Sequence, residues 1–185
     1  MIKRITHVLG GIPRGLLPGT VLVMIAIALF GYSAVDVSWI QDSRNMGGNA
    51  LYGIDFVQIL ARNVGAALFL FSGVVTLGAT TLIGSAVLAL YVGATVSLGT
   101  HSVGQGQLLT DVIWYVPFEF LGLILAATAG LQPVAGMAAG FIRHSPVSLS
   151  TFVINVARSL GTMALALLLI VVGAAIEAIV IQLRI

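Results

Sequence analysis

Between Phe56 and Gly99 the chain runs 44 residues with a single charged side chain, Arg62. A segment this apolar has no polar face to offer water, and in lipid its backbone groups are satisfied only if it is helical. Its length suffices for two bilayer crossings at about 20 residues each. The small and hydroxyl residues Gly78-Ala79-Thr80-Thr81 mark the break, which predicts spans over 57–77 and 80–99. Three further apolar runs, 16–35, 111–131 and 159–181, bring the expectation to an all-α integral membrane bundle of five transmembrane helices in one domain. Composition agrees: 59% of the 185 residues are hydrophobic and 8% are charged, where a soluble domain carries about a quarter charged residues.

An odd number of spans puts the two termini on opposite sides. Lys3, Arg4, Arg14, Arg143 and Arg158 fall on one side, and Arg44, Arg62 and Arg184 on or near the other. The positive-inside rule then places the N-terminus in the cytoplasm and the chain in the cell membrane as a multi-pass protein. The same rule accounts for the net charge of +2 and pI near 9.4, so nothing calls for nucleic acid as a partner. Asp36 to Asp55 becomes an outer loop. Within it Trp39, Asp42, Arg44 and Tyr52 form a candidate docking surface for a partner, against the plainer reading of a connector. Thr100 to Thr110 reads as a short polar loop. Gln132 to Ser150, with Gly136 and Gly140 four apart, reads either as a helix-contact segment or as a re-entrant piece.

The residues exclude several chemistries. There is no cysteine, so thiolate metal sites and cysteine nucleophiles are absent. His7, His101 and His144 stand apart, with no ligand at helical spacing, and no metal is expected. Gly104-Gln105-Gly106 lacks the lysine or third glycine of a phosphate-binding loop. His101, Ser102 and Asp111 have no nucleophile elbow. No catalytic residue and no cofactor are expected, and the chain is read as a non-enzyme.

Charge inside the spans is the remaining signal, because intramembrane ionisable residues mark function by default. In 111–131, Glu119 follows Pro117, which removes a helical hydrogen bond and predicts a kink that frees the carbonyl of Ile113. From Glu119, helical spacing leads to Gly122, Ala126 and Ala129 or Gly130, a packing face. Spans two and four run in the same direction, so Arg62 and Glu119 are expected to pair in the outer half of the bundle, joined by Glu177. Glu177 lies on a face with Gly173, Ala166, Thr162 and Arg158. Two readings stand: an ion pair that fixes helix register, or a proton, cation or substrate site.

The stretch NVGAALFLFSGVVTLG from Asn63, the span from Thr80 to Gly93, and IWYVPFEFLGLILAATAGL resemble the stage II sporulation protein M family of polytopic membrane proteins. The likeness covers about Leu60 to Leu131. Asn63, which opens the first of these stretches, is counted with Arg62, Glu119 and Glu177 in the candidate intramembrane polar cluster. Where that family commonly has His-Gly ahead of the glutamate, this chain has Tyr115-Val116, which leaves Glu119 without a histidine as proton partner. The resemblance implies a non-catalytic membrane subunit that scaffolds or supports an export or envelope-remodelling assembly. Its partners would be other membrane proteins, among them an ATP-binding cassette protein, or further copies of itself. The alternatives are a transporter or channel subunit built on Glu119 and Arg62, and an accessory subunit of a bioenergetic complex.

Overall fold

The computed structural model describes residues 11–36, 56–142, 144 and 149–183. These residues are helical with no strand among them. Five helices are long and apolar enough to cross a membrane. Helix α1 is Leu16–Ala34. Helix α2, Phe56–Phe71, tightens into a 3-10 turn over Ser72–Val74. Helix α3 is Ala79–Val103, α4 is the short Gln105–Val112, α5 is Val116–Ile142 and α6 is Leu149–Gln182.

Helix α5 is the axis of the bundle. Every residue from Gly122 to Gly130 is buried, which is what a helix that is apolar all round requires of its neighbours. Helices α6 and α2 pack on it and on each other, while α1 pairs chiefly with α3. Small residues make these contacts close. A Cβ at Gly93 would stand 1.9 Å from the Ala28 carbonyl oxygen, so α1 and α3 meet backbone to backbone there. The outer surfaces keep large apolar side chains exposed, among them Leu22, Phe30, Leu82 and Leu168.

The break between α2 and α3 falls at the small-residue stretch. Leu77 and Gly78 both take positive φ values, 52° and 90°, and the backbone reverses within four residues. Thr81 seals the turn from inside: its buried hydroxyl donates to the Leu70 carbonyl at 2.5 Å.

Four expectations need correction. Thr100–Thr110 is not a loop. Helix α3 continues to Val103 and breaks only at Gly104, whose φ 88° and ψ 154° suit glycine alone, and α4 resumes at once. Residues 132–142 are not a segment apart from the fourth span: α5 continues through them, and Gly136 packs on Asn155 of α6 as the helix-contact reading expects. Gln132 can stay in a helix because its amide is satisfied, donating to the Gly11 carbonyl at 2.9 Å and accepting from the Thr162 hydroxyl at 3.1 Å. Pro117 is not a kink. It lies in the first turn of α5, where no intrahelical donor is needed and its fixed φ is compatible with the helix. The proline inside the helix is Pro133, buried against the neighbouring elements. Finally, α6 begins at Leu149 rather than after Arg158, which puts Arg158 in its third turn.

Candidate functional site

Glu119 is in the first turn of α5, about 4.5 Å along the axis from the helix start at 1.5 Å per residue. A carboxyl there faces the unsatisfied N–H groups and positive end of the helix dipole. The backbone N–H of Glu119 donates to the Tyr115 carbonyl at 3.2 Å, so the turn that carries the carboxyl is closed. Glu177 stands five residues before the end of α6. Helices α5 and α6 run antiparallel, which brings the start of one to the end of the other.

The two carboxyls face one cavity, close enough to act on each other electrostatically. Gly173 makes the approach possible, since a Cβ there would stand 2.6 Å from Cγ of Glu119. On the other side, Nδ2 of Asn63 donates to Oε1 of Glu119 at 2.5 Å. Asn63 is two turns into α2 from its start at Phe56. Three helices thus deliver Asn63, Glu119 and Glu177 to one point.

Arg62 lines the same cavity but does not make the direct contact expected. No Arg62–Glu119 ion pair forms among the described residues. Instead Nη2 of Arg62 donates to the Tyr91 hydroxyl at 2.7 Å. Its Cζ is 5.7 Å from the ring centroid, so the guanidinium sits toward the hydroxyl end of the ring. Neighbouring residues on a helix point about 100° apart, a consequence of 3.6 residues per turn. When Asn63 points at Glu119, Arg62 is therefore turned toward α3. Tyr91 was not singled out by the sequence, yet a signal exists: Arg62 and Tyr91 are equidistant in the chain from the Thr76–Leu77 turn.

All these groups line one cavity of about 580 Å³ between α2 and α3, with α5 and α6 behind. Gln58 and Thr95 add polar atoms to its wall, and Leu88, Val92 and Leu123 supply the apolar part. Two carboxyls this close repel when both are ionised, and a proton or a small cation between them removes that repulsion. Among the described residues no third acidic or imidazole side chain joins them to complete a metal-binding group. The chemistry on offer is that of proton or small-cation binding. The expected docking residues Trp39, Asp42, Arg44 and Tyr52 lie outside the described residues. No protein-family model, curated protein or solved structure matches this chain.

Proposed function

We propose that this chain is a non-catalytic, multi-pass subunit of the cytoplasmic membrane, its N-terminus in the cytoplasm, that holds a proton or small cation between Glu119 and Glu177. The membrane reading is supported by five helices of sufficient length and hydropathy. The orientation is supported by the five-to-three distribution of Lys and Arg between the two sides. The single observation that carries the site is the carboxyl pair against the wall of a 580 Å³ cavity. Intramembrane carboxyls are costly to keep, and those that persist mark ion paths and proton relays. The Arg62 hydrogen bond to Tyr91 supports this reading over a register-fixing ion pair, because the guanidinium makes no direct ion pair with either carboxyl among the described residues.

The experiment is reconstitution of the full chain into vesicles with an imposed proton or sodium gradient. Wild type should dissipate one of the two gradients, and Glu119→Gln combined with Glu177→Gln should not. Vesicles holding correctly inserted wild type that match empty ones for both gradients would sink the transport role. A supporting role in a larger assembly is the second reading, favoured by the likeness of residues 60–131 to the stage II sporulation protein M family. Co-purification under mild detergent tests it: a chain that returns alone at native expression levels has no such assembly.

A further inference from the structure

At the far end of the bundle from the carboxyl pair lies a cavity of about 700 Å³. Its walls are the segment 11–14 leading into α1, the second half of α5 and the first turns of α6. Arg14, Arg158 and Asn155 give it chemistry, against apolar walls of Ile12, Pro13 and Ile154. Asn155 is 7% exposed, and among the described residues no side-chain hydrogen bond takes up its amide. The amide is not sealed in, since among the described residues Ser85 Oγ alone is a buried side-chain polar atom without a partner; it borders the cavity. It is also given room: a Cβ at Gly136 would stand 2.4 Å from Nδ2 of Asn155. The chain keeps a donor at this wall and a glycine to accommodate it.

The charge is equally unbalanced. Neither Arg14 nor Arg158 forms an ion pair among the described residues. The sequence offers no counter-charge along the walls either, since it has no Asp or Glu before Asp36 or between Phe120 and Ile176. An anion from outside the chain is the missing partner. A carboxylate is planar and suits one guanidinium fork, whereas the oxygens of a phosphate diverge and accept donors from several directions. Here the donors come from two separate elements, the lead-in to α1 and the third turn of α6.

We propose that this cavity binds a phosphate group, with Arg14 and Arg158 supplying the charge and the Asn155 amide donating a hydrogen bond. In a membrane-inserted chain the abundant source is the headgroup of an anionic phospholipid at the cytoplasmic face, where basic pockets between helices take such groups. Inorganic phosphate or a soluble phosphoester is the other source. The proposal goes beyond the carboxyl site and stands or falls separately from it.

The test uses the full chain, delipidated in detergent, with binding of phosphatidylglycerol and phosphatidylcholine followed by native mass spectrometry and by thermal unfolding. Wild type should prefer phosphatidylglycerol, and Arg14→Gln with Arg158→Gln should weaken that binding by about tenfold or more. Both arginines are exposed, so the double variant should unfold at the wild-type temperature when only phosphatidylcholine is present. Asn155→Leu is the second variant, expected to weaken binding severalfold without touching the charge. Lipid displaced by millimolar inorganic phosphate would identify free phosphate as a ligand of the same site. Lipid that resists it would identify the headgroup. Equal binding of the two lipids by wild type, together with no stabilisation by phosphate, would overturn the proposal, as would phosphatidylglycerol binding unchanged in the double variant.

Discussion

Asn63 and Glu119 are 56 residues apart in the chain, and Nδ2 of the first donates to Oε1 of the second at 2.5 Å. The contact joins α2 to α5 at the end where α6 arrives, so one amide fixes the position of a carboxyl that a second carboxyl also approaches. Asn63→Ala should therefore lower unfolding stability by about 0.6–1.7 kcal/mol, the range measured for hydrogen bonds between membrane helices. Asn63→Asp should cost more, because it replaces the donor with a third carboxyl. Detergent unfolding of the two variants checks the order. An Asp variant as stable as the Ala variant would show that Glu119 does not depend on this donor.

Arg62 hydrogen-bonds to Tyr91 at 2.7 Å and makes no direct ion pair with Glu119 among the described residues. In a double-mutant cycle, Arg62→Ala and Tyr91→Phe should show an interaction energy of about 0.5 kcal/mol or more, the lower end for residues in direct contact. The cycle of Arg62→Ala with Glu119→Gln should come out smaller. The reverse ranking would restore the ion pair that the sequence leads one to expect.

Gly173 and Gly65 make a matched pair of substitutions. A Cβ at Gly173 meets Cγ of Glu119 at 2.6 Å and the Glu119 backbone nitrogen at 3.2 Å, whereas one at Gly65 meets nothing within 4 Å. Gly173→Ala should destabilise by about 1–3 kcal/mol through overpacking and separate the two carboxyls. Gly65→Ala should be neutral or stabilise by up to about 1 kcal/mol through helix propensity. Thermal unfolding of both in one detergent measures the contrast.

The parts of this architecture that depend on local chemistry were legible in the sequence, and the parts that depend on rotation about helix axes were not. Apolar length located the five long helices, and Gly78 located the α2–α3 turn. Small residues at helical spacing from Glu119 picked out the face that is buried against α6 and α2. Arg62 and Asn63 are adjacent in sequence, and nothing local says which of them turns to α5 and which to α3. The full extent of α5 is not legible locally, because a polar Gln132 followed by Pro133 carries no sign of a continuing buried helix. Only tertiary partners, the Gly11 carbonyl and the Thr162 hydroxyl, make that polar side chain compatible with a buried helix. The effect of Pro117 depends on where the helix starts, and that start at Val116 is not marked in the sequence.

Pro117→Ala should change stability by less than about 1 kcal/mol, since a first-turn proline gives up no intrahelical hydrogen bond.

Gln132 offers the sharpest test of the fold. It is fully buried, and its single amide ties α5 to the segment before α1 and to α6. Gln132→Leu removes both hydrogen bonds and leaves the Thr162 hydroxyl and the Gly11 carbonyl without this partner, at about 1–3 kcal/mol for each group that finds no substitute. Gln132→Glu retains the acceptor for Thr162 but loses the donor to Gly11 and buries an ionisable group, so it should be worse than Leu near neutral pH. Thr162→Val combined with Gln132→Leu replaces one bonded pair with apolar groups of similar shape and should recover part of the loss. Hydrogen exchange of the 11–14 segment supplies the decisive reading. It should rise in Gln132→Leu and stay raised in the double variant, because the Thr162 change does not restore the bond to Gly11. Protection of that segment unchanged in Gln132→Leu would mean that it is held by contacts other than this amide.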